Sequence, residues 1–299
     1  MADSKKQVFT IGIPRAFYYY THPGLWEAFF QNLGFKTLLS EKSGEKILRN
    51  AVPHTESEHC LAHKLFDGHL LSLLGKADAV FIPRLLSLTK KHICCAKFAA
   101  LPEAAQCGIA RGTPVITVDI DENKEPLLKT LIRLGKNLGK PARLAKNAAE
   151  NAIQTMHEEW KKQQAAMTAE KPFLLLGHPY TLHDAFIGEP VKQKLKRMGH
   201  AFETPVFTHE KLPESVTRWC TFGRMHRLIT EMPLEKYAGA IQISTFNCGP
   251  DSVMLEFYRA VCRSRGIPYL VLMIDEHTGN AGMETRLEAF ADSIQWKRV

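Results

Sequence analysis

The chain has no apolar run approaching the roughly 18 residues that a membrane-spanning helix requires. Its opening residues, MADSKKQVF, hold no apolar stretch before the first strand-like segment, so a secretory leader is not expected and a cytoplasmic location is. No two cysteines are spaced as CxxC, and no HExxH pair or GxSxG elbow occurs. A GxxxxGK[ST] phosphate loop is missing, and no GxGxxG follows the first strand. These absences argue against a zinc ribbon, a zincin-type hydrolase, a serine hydrolase and ATP hydrolysis by the chain itself. Seven cysteines in a reducing compartment are poor disulfide partners and read instead as metal ligands or buried thiols.

What is present is the composition of a globular protein. Of the 299 residues, 45% are hydrophobic and 23% charged, enough for one large or two ordinary α/β domains. The net charge of +8 raises the question of nucleic acid. The basic residues are dispersed, however, over KKHICCAK, KTLIRLGKNLGKPARLAK and KQKLKRMGH, with no aromatic-interleaved stripe. No nucleic-acid partner is expected. An anionic cofactor or an acidic protein face suits the charge equally well.

Short β-branched or apolar runs alternate with amphipathic stretches, the pattern of a parallel-sheet α/β protein. Strands are expected at Val8–Pro14, Phe35–Ser40, Ala77–Arg84, Thr113–Ile120 and from Phe173; helices are expected at Pro23–Gly34, from Cys60, and over Leu101–Gly112. The stretch from Glu125 to Lys171 reads as two polar helices broken near Gly139-Lys140-Pro141. The expected domains are an N-terminal α/β lobe over 8–124, a helical connector over 125–171 and a C-terminal α/β lobe over 172–299. The two lobes look like copies of one unit. Gly12-Ile13-Pro14 recurs as Gly177-His178-Pro179, and helix-ending Gly34 recurs at the same offset as Gly199. RGTPVITVDIDEN (Arg111–Asn123) recurs as RGIPYLVLMIDEH (Arg265–His277). The fold expected is therefore two flavodoxin- or Rossmann-like lobes with mostly parallel sheets, facing each other across a cleft.

In such folds ligands collect beyond the carboxyl ends of the strands. Three cysteines fall at expected strand ends or helix starts: Cys60 in ESEHCLAHK, Cys95 in KKHICCAKF and Cys248 in STFNCGPDS. Backbone N–H groups at such places stabilise thiolate and sulfide charge. Cys248 has the strongest context, because Gly249 permits close backbone approach and Pro250 suits a first helical turn. The plain alternative for each is a buried small hydrophobe. Cys107 and Cys262 lie inside helical patterns and read as core-facing; Cys220 has no marked context. Cys94 adjoins Cys95, and neighbours in an extended segment point opposite ways. Among thirteen histidines, His59 and His63 flank Cys60 at helical spacing, so zinc held by His59, Cys60 and His63 is a competing reading. Asp275 and Glu276 end the last main strand, and either is placed to pair with Arg286 or to bind a metal.

The segments IGIPRAFYYYTHPGLWEAFF, ESEHCLAHKLFDGHL, FIPRLLSL, CCAKFAALPEA, FNCGPDS and IDEHTGNAGMETRLEAF carry a resemblance that runs from about Ile11 to Ile294. They resemble acyl-CoA dehydratase activase-related proteins, the CoA protein activase family. That family is similar to the cluster-bearing subunits of 2-hydroxyacyl-CoA dehydratases and to double-cubane cluster proteins. The resemblance implies that Cys60, Cys95 and Cys248, in preference to Cys94, hold a [4Fe–4S] cluster with one iron free of protein thiolate. Relatives show Cys-x-Pro-x-Lys where this chain has Cys60-Leu61-Ala62-His63-Lys64, and Cys-Pro-Lys-Phe where it has Cys95-Ala96-Lys97-Phe98.

On that resemblance the chain would accept low-potential electrons from an ATP-hydrolysing activase of actin-like fold, for relay or for reduction of a small substrate. The alternative is a non-catalytic partner or scaffold for an activase or for cluster assembly. A double-cubane form needs six thiolates, which seven cysteines permit arithmetically, but the core-facing reading of Cys107 and Cys262 favours one cubane per chain. A homodimer would bring two cubanes together. Lys64 and Lys97, beside the cysteines, are placed to tune potential or to meet an anion.

Overall fold

The computed structural model describes residues 8–164, 171–204, 218–220, 225, 229–231, 233–277 and 280–296. Its strands are β1 (Thr10–Ile13), β2 (Lys36–Leu39), β3 (Ala79–Phe81), β4 (Arg84–Ser87), β5 (Val115–Ile116), β6 (Asp119–Asp121), β7 (Phe173–Leu176), β8 (Phe202–Glu203), β9 (Gly239–Thr245) and β10 (Tyr269–Ile274). Its α-helices are α1 (Tyr18–Thr21), α2 (Leu25–Asn32), α3 (Glu45–Ala51), α4 (Leu61–Leu73), α5 (Ala96–Ala99), α6 (Leu101–Cys107), α7 (Leu127–Asn137), α8 (Ala142–Gln164), α9 (Pro179–Leu182), α10 (Gly188–Arg197), α11 (Gly249–Ser264) and α12 (Asn280–Trp296).

Two four-stranded sheets carry the lobes, in the orders β2-β1-β3-β5 and β8-β7-β9-β10, and their pairings are parallel. The first strand of each lobe lies second in its sheet, and the later strands follow in the same sequence. This shared order makes the pseudo-repeat a feature of the topology. The helix ends repeat it in detail. Gly34 (φ 81°) and Gly199 (φ 76°) both take left-handed backbone, where glycine has no steric penalty. The N–H of Phe35 reaches the Phe30 carbonyl at 3.0 Å, and that of His200 reaches Leu195 at 2.9 Å, closing both helices alike.

Helix α2 buries Leu25, Trp26, Phe29 and Phe30, one face of a helical period, against the first sheet. Helices α7 and α8 break at Gly139, as expected. The polar look of α8 hides a stripe of small residues: Ala145, Ala148, Ala149, Ala152, Met156 and Trp160 are buried, and the helix lies on α2 and α7. Two expected strands are subdivided. Pro83, which has no N–H for a ladder, separates β3 from β4. The segment expected as one strand over Thr113–Ile120 divides in turn, with β5 pairing β3 and β6 pairing β4 in a separate two-stranded sheet. The helix expected to reach Gly112 closes at Cys107, before Gly108.

A buried hydrogen-bond chain ties the lobes together. Asp184 accepts from the Ser43 hydroxyl and from the N–H groups of Phe186 and Ile187. Because Ser43 gives its proton to Asp184, it must accept from His69 Nε2, 2.9 Å away. His69 Nδ1 is then the acceptor for Ser40, at 2.9 Å, and Ser40 accepts from the Arg15 N–H at 2.8 Å. The tautomer of His69 follows from this direction. Burial lowers the pKa of His69, and of His183, to about 3 from 6.5. Between those values the unfolded chain binds protons that the folded one refuses, so these groups lose stability as pH falls from 6.5 toward 3. The buried Asp67, raised to about 6, acts with the opposite sign as pH rises from 3.8 to 6. The thermal midpoint of His69→Gln is therefore expected to fall less steeply with acidification below pH 6.5 than that of the parent, as followed by circular dichroism. Parallel slopes would show that His69 takes up no proton on unfolding.

Candidate functional site

At the carboxyl ends of the strands the two lobes enclose a cavity of about 840 Å3. Cys60, Cys95 and Cys248 all line it. Each is the N-cap residue of its helix: Cys60 of α4, Cys95 of α5 and Cys248 of α11. All three take extended backbone there, with φ of −65°, −67° and −79°. An N-cap residue adopts non-helical dihedrals while the N–H groups of the first turn remain open toward it. Three sulfurs are thus held where three helix starts meet.

Local sequence explains each start. Pro250 occupies the first turn of α11, where its missing N–H has no partner to lose. Ala62 and Ala96, where the resemblance implies proline, fall in the first turns of α4 and α5. Alanine is the best helix former, so both helices begin without the proline. Asn247, immediately before Cys248, has φ 62°, a left-handed conformation that asparagine tolerates better than most residues. Phe17, at φ 43°, is a bulky residue in strained backbone, packed against Phe98 (4.7 Å between ring centroids) and Tyr180 (5.1 Å). Those three rings form one wall of the cavity; Leu85, Leu88 and Trp219 extend the apolar lining.

Burial raises the thiol pKa of Cys60, Cys95 and Cys248 above the ordinary range. First-turn backbone N–H groups act against that rise, from His63 for Cys60, Phe98 and Lys97 for Cys95, and Asp251 for Cys248. The Lys97 ammonium also favours the thiolates of Cys60 and Cys95. Without a metal these sulfurs are thiols; metal binding displaces such protons. Burial pushes the Tyr180 hydroxyl well above its ordinary range, and Tyr180 lines the same cavity as the three cysteines.

Several site residues escaped sequence reasoning. His178 stacks on Tyr180 at 4.8 Å, with its Nε2 3.1 Å from Asp251 Oδ1 and 4.0 Å from Cys248 Sγ. Asp251, almost fully buried, also accepts from the Ser244 hydroxyl at 2.5 Å. A signal for both lay in the sequence, since His178 is in the repeated Gly-x-Pro turn and Asp251 follows Cys248-Gly249-Pro250. Cys94 and Cys220 also line the cavity. Cys94 and Cys95 thus border one cavity although the backbone at Cys95 is extended. Cys220 sits there through tertiary placement, with the Leu88 N–H 3.4 Å from its sulfur and an isolated parallel bridge joining Ile93 to Trp219. Cys262 is buried, as expected, whereas Cys107 is exposed at the end of α6.

The expected pairing of Arg286 with Asp275 or Glu276 is not what forms at Glu276. Glu276 Oε1 lies 2.5 Å from the Lys64 ammonium, across the lobes, and Arg286 donates to the Val271 carbonyl. Lys64 is only 6% exposed in this pair, so it does not present a free charge to an anion. Removing Glu276 alone leaves a buried ammonium without its carboxylate. Glu276→Ala is expected to destabilise the chain by about 3 kcal/mol, with Lys64→Met/Glu276→Leu recovering most of the loss. Equal denaturant midpoints for parent and Glu276→Ala would contradict this.

A sequence model of the family described as "CoA enzyme activase uncharacterised domain" matches residues 10–207, a span that includes Cys60 and Cys95 and stops before Cys248. No curated protein matches the chain. Solved structures similar over most of the length include the solute-binding protein FpvC of Pseudomonas aeruginosa in complex with Mn2+, at 14% identity, 96% of each chain and TM-score 0.31. ZnuA has 11% identity over 96% of this chain and 98% of its own, with TM-score 0.27. The laminin binding protein of Streptococcus agalactiae has 12% identity, covering 96% and 97%, with TM-score 0.25. Scores this low carry no inference. Among the described residues no helix is long and apolar enough to cross a membrane.

Proposed function

The chain belongs to the CoA enzyme activase uncharacterised domain family, and from that premise we propose that it is an iron–sulfur protein in which Cys60, Cys95 and Cys248 hold one [4Fe–4S] cluster. The observation that carries this reading is that three cysteines, remote along the chain, cap three different helices at one cavity. Such a donor set suits the group. Sulfur ligands select iron–sulfur clusters, and helix-start N–H groups and limited water set their potential. When bound, the cluster would supply one-electron reduction at a metal site that lacks a fourth protein thiolate.

The residues around the cavity have roles of their own. Lys97 donates to the Glu58 carbonyl at 3.2 Å, tying the segment before Cys60 to α5 and holding two cysteines in register. Phe17, Phe98 and Tyr180 keep water from the sulfurs. His178, oriented by Asp251, stands beside Cys248 as a polar group in the cavity lining. The cavity lies within the ~300–1,000 Å3 typical of small-molecule sites. That size favours reduction of a small substrate over simple relay. The electron donor in this reading is the ATP-hydrolysing activase of actin-like fold that the family resemblance implies. The competing reading is a scaffold that binds an activase without turnover.

Anaerobic reconstitution with iron and sulfide tests the proposal. About four iron and four sulfide per chain, with broad thiolate-to-iron absorbance, are expected. A chain that stays colourless and iron-free after reconstitution would overturn it. Stimulation of an activase ATPase with no substrate-dependent oxidation of the reduced protein would favour the scaffold.

A further inference from the structure

Two cysteines of the cavity lining, Cys94 and Cys220, have no part in the proposed cluster. They are remote along the chain, and backbone pairing brings them together. The Ile93 N–H donates to the Arg218 carbonyl at 2.7 Å, and the Cys220 N–H donates to the Ile93 carbonyl at 2.9 Å. Those two bonds set Ile93 against Trp219 in parallel register. The next residue on each side is a cysteine, so Cys94 stands beside Cys220. Residues paired in this way share a face, and their backbones run about 4.8 Å apart. A disulfide spans roughly 4.4–6.8 Å between Cα atoms, so the separation suits one.

Both cysteines are anchored to the same stretch of the N-terminal lobe. The Cys94 N–H donates to the Leu86 carbonyl at 2.8 Å, and the Leu88 N–H lies 3.4 Å from the Cys220 sulfur. Their accessibility differs. Cys94 is partly exposed, whereas Cys220 is buried. A reachable thiol beside a sheltered one is the arrangement in which exchange with a small disulfide ends in an internal bond. The first thiol meets the reagent, and the second needs only to meet the first.

We propose that Cys94 and Cys220 form a reversible dithiol–disulfide pair, oxidised by a low-molecular-weight disulfide of the glutathione type. Cys94, as thiolate, attacks one sulfur of that reagent, forms a mixed disulfide and expels one thiolate. Cys220, as thiolate, then attacks the Cys94 sulfur and expels the second. One S–S bond forms in the protein and one breaks in the reagent. The protein gives up two electrons and two protons, and the reagent takes them up as two thiols. Excess small thiol runs the exchange backwards. Both residues are thiols in this structure. The closed bond would tie the segment ahead of Cys95 to the C-terminal half of the chain. It would also withdraw two of the five cysteine sulfurs that line the cavity, so the soft-metal capacity of the cavity would follow the thiol redox state. The pairing rests on backbone register and is independent of the cluster reading.

The test uses the full chain with Cys60, Cys95 and Cys248 all changed to serine, which leaves Cys94, Cys107, Cys220 and Cys262. The folded protein is equilibrated with oxidised glutathione, its remaining thiols are blocked, and its peptides are mapped by mass spectrometry. A Cys94–Cys220 linkage in most chains is expected, opened again by excess reduced glutathione. Exposed Cys107 is expected to carry only a mixed disulfide. Adding Cys220→Ser is expected to halt the reaction at a Cys94–glutathione mixed disulfide. The same map on the unsubstituted chain, before iron is supplied, should show Cys94–Cys220 as the main linkage, which covers a failure of the serine variant to fold. Cys94 joined to any other cysteine, Cys94 halted at the mixed disulfide while Cys220 is present, or both left as thiols would overturn the pairing. None of these outcomes depends on iron.

Discussion

Cys248→Ala is expected to reduce reconstituted iron from about four atoms per chain to near zero while leaving the fold intact. Cys248 is the residue around which the proposed site is built. It caps α11, stands 4.0 Å from His178, and belongs to the C-terminal lobe, whereas Cys60 and Cys95 belong to the other. Its removal leaves two of the three proposed ligands, both from the N-terminal lobe. The substitution is tolerable for folding because alanine fits the volume of the cysteine and Pro250 still sets the first turn of the helix. Cys60→Ala and Cys95→Ala should lose iron similarly. Cys107→Ala, at an exposed position, should lose none. Cys94→Ala and Cys220→Ala separate a single cubane from a larger assembly, since both residues line the same cavity. Full iron content in Cys248→Ala would remove the cross-lobe site from consideration.

Gly68→Ala is expected to destabilise the chain by about 3 kcal/mol, although alanine favours a helix interior over glycine by about 1 kcal/mol. The reason is a close helix crossing. A Cβ on Gly68 would fall 2.2 Å from the Ile47 carbonyl oxygen and 2.9 Å from its side chain, so α3 and α4 could not keep their approach. Backbone oxygen at that distance cannot be moved by a rotamer change. Because α4 begins at Cys60, the displacement should also reach the cavity, and iron retention should fall along with the denaturation midpoint. An unchanged or raised midpoint in Gly68→Ala would mean that α3 and α4 are further apart than described.

The elements that were legible before the structure are those governed by local chemistry. Helix starts at Cys60 and Cys248, helix stops at Gly34 and Gly199, and the break at Gly139 all follow from interactions within a turn or two, which proline, glycine and capping residues report directly; the short α5 after Cys95 was not read from the sequence. The repeat was legible for the same reason: matching turns generate matching strand-to-helix corners, and the two sheets then adopt one strand order. Where sequence reasoning went astray, a residue's role depended on what docks against it. The buried face of α8 is made mostly of alanines, whose apolar signal in the sequence is weak. Cys107 has helical neighbours like those of Cys262, yet one is exposed and the other buried.

Tertiary structure alone decided the rest. Lys64 meets Glu276, Tyr18 reaches the Phe81 carbonyl, Asp184 joins the chain through Ser43 to His69, and His178 finds Asp251. None of these pairs lies within a helical turn, and nothing in the local pattern of either partner names the other. Spacing can declare that a sulfur stands at a helix start. Only the packing of one lobe against the other determines that three such starts point into the same cavity, because that depends on apolar surfaces spread over the whole chain.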